Sequence, residues 1–191
     1  MPPGKRSASR CNQRTNLTNP LKKTGWCPMN FQKLFAMQKG LDEHIQSNHQ
    51  LQNEDLFDRK VLALLVELGE LANETRCFKF WSLKSPSPRN VILEEFVDGI
   101  HFILSLGLEL GFDQESDFSA DVPVQESISG QFLAVFEQIS RFRASRAQKD
   151  YQLLFQTYLD LGQQLGFSAE DIEKAYMEKN DVNYKRQEQG Y

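Results

Sequence analysis

The chain has 191 residues, 40% hydrophobic and 25% charged, with net charge −4, a composition and length that fit one soluble globular domain with a real core. No apolar run approaches the ~18 residues of a membrane span, and the basic opening MPPGKRSASRCNQR lacks the apolar stretch of a secretory signal. Lys5, Arg6, Arg10, Arg14, Lys22 and Lys23 are accompanied by no acid in 1–28, so residues 29–191 carry −10. That acidity argues against a nucleic-acid-binding body and leaves RNA or DNA contact only to the basic tail. Cys11, Cys27 and Cys77 are few and scattered, which fits neither a disulfide framework nor a CxxC zinc site and suits a reducing cytoplasm.

Residues 1–28, rich in Pro, Gly, Ser, Asn and Lys without apolar periodicity, are expected to be a disordered basic tail. From Met29, proposed as the start of the functional, folded part, Phe31, Leu34, Phe35, Gln38, Leu41 and Ile45 repeat at helical spacing. A second helix is expected from an N-cap near Asn53 to about Asn73, then a loop at SLKSPSPRN. A third helix reads from about Val91 to Leu110 and stops at Gly111. After a loop at 112–124, helices follow near 125–146 and 148–165, the latter ending at Gly166. A last one starts at the capping pattern Ser168-Ala169-Glu170-Asp171 and runs to about Lys179, leaving NDVNYKRQEQGY as a polar and aromatic terminus. With almost no strand alternation, the expectation is an all-α helical bundle.

The second and third helices carry the chemistry. In VLALLVELGELANE, the residues Val61, Leu64, Leu65, Leu68 and Leu71 form an apolar arc, with Glu67, Glu70 and Glu74 in a narrow stripe beside it. The third, VILEEFVDGIHFILSLGLEL, is apolar almost all round, which implies burial, yet it holds Glu95 and Asp98 one turn apart, in line with Phe102. Like charges at this spacing repel, and buried carboxylates are costly unless paired or bound to a cation. No Lys or Arg lies within either cluster. Two such pairs on adjacent antiparallel helices would converge four hard oxygen ligands, a set suited to Mg²⁺ or Mn²⁺; the alternative is a solvated acidic face.

Other chemistries lack their residues. The chain has no P-loop, no HExxH and no GxSxG, and His44, His49 and His101 make no zinc triad. A di-iron bundle needs Glu-x-x-His from two helices, and only Asp98-Gly-Ile-His101 comes near that pattern, so His101 reads as a packed or supporting histidine.

The pairs E67-L-G-E70 and E95-F-V-D98 resemble the metal motif of the all-α NTP pyrophosphatases, which include MazG-type enzymes and dimeric dUTPases. The blocks FAMQKGLDEHI, ELGELANETRCFKFWS, ILEEFVDGIHFILSLGLELG and KAYMEKNDVNYKRQEQGY narrow the resemblance to the dimeric dUTPase family, bacterial and phage branch, over roughly 29–191 and loosely at 112–165. The resemblance implies a cytoplasmic homodimer that cuts dUTP to dUMP and pyrophosphate, and leaves open whether dUDP is also cut. By the same resemblance, Glu67, Glu70, Glu95 and Asp98 hold magnesium, with Glu67 or Glu70 as base for the attacking water. Gln38 faces the uracil, while the neighbouring position, often Asn in the family, is Asp42 here. Lys79, Trp81 and the loop bases Lys84 and Arg89 lie near the nucleotide. Lys179, Asn183, Arg186 and Tyr191, with Asn180 beside them, close over the phosphates. A broad-specificity MazG-like pyrophosphohydrolase shares the metal cage and differs at the uracil-reading positions. A non-enzymatic helical interaction module would be indifferent to divalent metal.

Overall fold

The computed structural model describes residues 29–114, 120 and 122–190; the expected tail 1–28 and Tyr191 lie outside the described residues. Six helices and no strand occur among them: α1 Phe31–His49, α2 Phe57–Thr75, α3 Arg89–Glu109, α4 Ile128–Ser145, α5 Gln148–Gln164 and α6 Ala169–Glu188. None is long and apolar enough to cross a membrane.

The apolar-all-round helix is the hub. α3 packs against α1, α2, α5 and α6, and its Phe96, Val97, Ile100, Ile103, Leu104 and Leu106 are fully buried. α2 contributes Val61, Leu64, Leu68 and Leu71 from its apolar arc, as its periodicity requires. α5 approaches α3 closely because Gly99 and Gly107 leave room: a Cβ at either would collide with Tyr158 or Tyr151. Those tyrosines donate to the Phe96 and Ile103 carbonyls at 2.9 and 3.0 Å, so their buried hydroxyls stay hydrogen-bonded.

α2 and α3 run antiparallel, since Lys60 near the start of α2 pairs with Glu109 at the end of α3. At the opposite ends, Ser87, just before α3, bonds Glu74 near the end of α2. The third member of the acidic stripe is thereby spent on holding the intervening loop.

Helix stops at Gly111 and Gly166 agree with expectation, both at positive φ, and Ser168 with Asp171 forms the full capping box. Two boundaries are corrected. α2 starts at Phe57, not near Asn53: Leu56 is buried in the preceding position, and Asp55 Oδ1 accepts from Phe57 N at 3.0 Å. α6 continues to Glu188, nine residues past Lys179. Its last turns lack an apolar stripe because they lie on the polar flank of α1. There Tyr184 meets His44 ring to ring at 5.3 Å and Gln187 bonds His49 at 3.0 Å. Lys185 and Arg186 in the last turn also complement the helix dipole.

Candidate active site

Convergence of the acids follows from the antiparallel register of α2 and α3. Carboxylate oxygens of Glu67, Glu95 and Asp98 all lie within 4.8 Å of one another. Glu70 is exposed at the edge of this group, and its charge acts on Glu67 and Glu95. Burial, together with Asp98, Glu70 and Glu95, pushes the Glu67 carboxyl up to about 7. Burial and neighbouring acids likewise raise Glu95.

One cation enters from outside both helices, a feature the linear sequence of α2 and α3 does not contain. Lys179 on α6 reaches Asp98 Oδ2 at 2.6 Å and Glu94 Oε1 at 2.8 Å. Burial alone would lower its ammonium, but the hydrogen bonds to Asp98 and Glu94 outweigh burial and hold it above the usual lysine range. Asp98 is nonetheless raised, because burial outweighs what Lys179 gives it. Lys179, with Arg186 acting on Asp98 from farther off, therefore offsets the five acids Glu67, Glu70, Glu94, Glu95 and Asp98 only in part. The donor set, all carboxylate oxygen with no histidine or thiolate, fits a hard divalent cation.

Beside the acids lies a cavity of about 430 Å³, lined by Glu67, Asp98 and Lys179 at one end and by Gln38, Asp42, His101, Phe102 and Ser105 at the other. Asn183 and Arg186 line it from the extended part of α6. Gln38 is only 3% exposed. Its Oε1 receives the Tyr176 hydroxyl at 2.8 Å and faces His101 Nδ1 at 2.8 Å. Its Nε2 donates to Asp42 Oδ1 at 2.7 Å. Asp42 Oδ2 accepts from Ser105 Oγ at 2.5 Å and lies 3.8 Å from Lys60 Nζ. Burial raises the Asp42 carboxyl, against Ser105, Lys60 and Gln38. Burial drives His101 down to about 3, so the imidazole is neutral; it stacks on Tyr176 at 4.1 Å, and its buried Nε2 has no protein partner.

Of the residues singled out in the sequence, the structure thus brings Gln38, Glu67, Asp98, Lys179, Asn183 and Arg186 to one cavity, with Glu95 in the carboxylate cluster beside it and Glu70 exposed outside that cluster, near enough for its charge to act on Glu67 and Glu95. It does not bring Lys79 and Trp81 there. Lys79 bonds Asn73, and Trp81, 65% exposed and so not a core residue either, packs edge-on against Phe78 and Phe80 on the loop after α2. Lys84 is exposed on the same loop. Arg89 belongs to α3, where it bonds the Gly166 carbonyl at 3.0 Å and Asp171 at 2.8 Å, clamping the α3 start to the α6 cap. Asn180 is buried one turn from Tyr176, whose hydroxyl it favours in charged form. Sequence reasoning missed Tyr176, Ser105 and Lys60 as site residues. The signal available was that Tyr176 precedes Lys179 by one helical turn, on the same face.

A helical bundle whose paired carboxylates border a cavity that a further helix lines with Lys179 and Arg186 is the architecture of an all-α phosphohydrolase. The family model described as dUTPase matches residues 30–191, nearly all of the described structure, and the chain belongs to that family of dUTP pyrophosphohydrolases. No curated protein is significantly similar to the chain in sequence.

Proposed function

We propose that the chain is a Mg²⁺-dependent, homodimeric, cytoplasmic enzyme whose residues 29–191 hydrolyse dUTP to dUMP and pyrophosphate in the cavity between α1, α2, α3 and α6. The observation that carries this reading is the carboxylate cluster, short of positive charge and opening on a cavity with polar groups for a base at its far end. Glu67, Glu70, Glu95 and Asp98 would hold the ions; bound there, Mg²⁺ or Mn²⁺ screens acids from the triphosphate and lowers the pKa of water. Gln38 binds the base, and Lys179, Asn183 and Arg186 bind the phosphates. Glu67, half-buried among the carboxylates and lining the cavity, is the acid proposed as general base. It takes a proton as the water oxygen bonds to the α-phosphorus. The bond from that phosphorus to the α,β-bridging oxygen breaks, and pyrophosphate leaves against Lys179 and Arg186.

Exposed Phe80, Trp81 and Leu83 after α2, with Leu62 and Val66 on α2, supply apolar surface for a homodimer. Lys79 and Trp81 act on nucleotide only through such an assembly. The test is pyrophosphate release from dUTP, dTTP, dCTP and UTP, with Mg²⁺ and with EDTA, for wild type, Glu70→Gln and a chain starting at Met29. Mg²⁺-dependent preference for dUTP, lost in Glu70→Gln and kept without residues 1–28, supports the reading. Equal turnover of all four would move the chain to broad specificity.

A further inference from the structure

Lys179 is held by two acids, and one of them stands outside the carboxylate cluster. Its ammonium donates to Asp98 Oδ2 at 2.6 Å and to Glu94 Oε1 at 2.8 Å. Glu94 and Asp98 are four residues apart on α3, so they share a face and hold the ammonium between them. Their surroundings differ: the Asp98 side chain is 17% exposed, that of Glu94 54%. Asp98 belongs to the group whose carboxylate oxygens lie within 4.8 Å of one another, with Glu67 and Glu95. Glu94 is not part of that group and does not line the cavity. A lysine ammonium is a compact charge on a flexible stem. Beside acids short of positive charge, it is a cation that the cluster itself can take up in place of a divalent ion. The bond to Glu94 pulls it the other way.

We propose that Glu94 is a positioning residue that acts through Lys179: it anchors the ammonium at the rim of the carboxylate cluster and so keeps the cluster open to a divalent cation. The proposal rests on the cluster being the cation site and deepens that reading. When Asp98 is committed to an ion, Glu94 remains as the acid partner of Lys179, so the ammonium, only 10% exposed, is not left buried and unpaired. Without Glu94, Lys179 and the ion compete for the same oxygens. A plain electrostatic role for Glu94, one more negative charge near the site, would act whether or not Lys179 is present.

The experiment is a Mn²⁺ titration of the full chain without nucleotide, followed by electron paramagnetic resonance at about 0.15 M salt. Wild type is compared with Glu94→Gln, Glu94→Asp, Lys179→Met, and Glu94→Gln combined with Lys179→Met. Glu94→Gln should weaken Mn²⁺ binding by about tenfold. Glu94→Asp keeps the charge but falls a methylene short of the ammonium, and should weaken binding by a similar factor. With Lys179→Met in place, Glu94→Gln should change the affinity by less than about threefold, which is what a screened surface charge supplies. Turnover gives a second reading: excess Mg²⁺ should restore the kcat of Glu94→Gln for dUTP to within about twofold of wild type. Unchanged Mn²⁺ affinity in Glu94→Gln overturns the proposal. So does an equal loss in both backgrounds, or wild-type affinity in Glu94→Asp, since either makes Glu94 a charge and not an anchor. A kcat that excess Mg²⁺ does not restore overturns it as well, because Glu94 is then structural. If wild type itself binds no Mn²⁺, the cation site falls and the proposal with it.

Discussion

The two ends of the cavity bury polar groups in opposite ways. At the base end, Asp42, Gln38, Tyr176 and Ser105 are paired with one another at 2.5–2.8 Å, and the network is nearly saturated by the protein itself. At the acid end, Glu67, Glu95 and Asp98 crowd together, and Lys179 bonds Asp98 alone of the three. The first arrangement is preorganised and lacks a partner only at His101 Nε2. The second stores repulsion that a ligand cation would relieve. Selection of a base calls for preorganised partners, while capture of a cation calls for acids held together at a cost to the fold.

The sharpest way to break this contrast is to remove a charge from the acid end. Glu95→Gln and Asp98→Asn should each lower dUTP turnover by at least about a hundredfold. In EDTA at pH 8 the Glu95→Gln protein should melt no lower than wild type, because that charge was repelled by its neighbours rather than satisfied. A large loss of thermal stability in EDTA would mean that the acids are structural.

The same asymmetry fixes a pH dependence. The ordinary carboxyl value of Glu67 is 4.5, and in the fold it stands at about 7. Such a raised group contributes stability that is full below the unfolded value and lost as pH rises through 7. Without divalent metal the melting temperature should therefore decline between pH 6 and 8. On the proposed site, whose deprotonated acids would hold the ion, Mg²⁺ should raise it more at pH 8 than at pH 6. Scanning calorimetry at the two pH values decides, and equal Mg²⁺ shifts would count against the acid cluster as the cation site.

At the base end the prediction inverts. Gln38→Leu strips partners from Asp42, Tyr176 and His101 at once, so it should cost about 2–4 kcal/mol in urea unfolding with or without Mg²⁺. A neutral result would show that the network is not the preorganised element its geometry describes.

The contrast was unequally legible in the sequence. The acid end is local: Glu67 and Glu70, then Glu95 and Asp98, are each one helical turn apart, and carboxylates on an otherwise apolar α3 stand out by composition. Bundle class and most helix ends were legible for the same reason, through 3.6-residue periodicity, Gly111, Gly166 and the Ser168 cap. The base end is built from residues far apart in the chain, since Gln38 meets His101 across 63 residues and Tyr176 across 138. No spacing rule reaches that far. Lys179 as counterion to Asp98 crosses 81 residues and was hidden in the same way. The last nine residues of α6 carry no apolar stripe because their partner surface on α1 is itself polar, so periodicity gave no sign of the helix.

A buried acid away from the cavity provides the control for both ends. Asp160 on α5 is 5% exposed, and Gln156 Nε2, at 2.7 Å, is its hydrogen-bond donor. Burial pushes its carboxyl from 3.8 to about 6, with Gln156 opposing. It does not line the cavity. Its stability contribution is present below pH 3.8 and lost as pH rises through 6, so Asp160→Asn should stabilise the protein at pH 8 by about 1–3 kcal/mol. At pH 4 the gain should vanish, because Asp160 is then protonated in the fold. The gain at pH 8 should not depend on Mg²⁺, and turnover of dUTP should be unchanged, which separates a buried acid that is merely tolerated from acids gathered for a cation. If Asp160→Asn abolished the Mg²⁺ shift, the acid cluster would not be the only place where the metal acts.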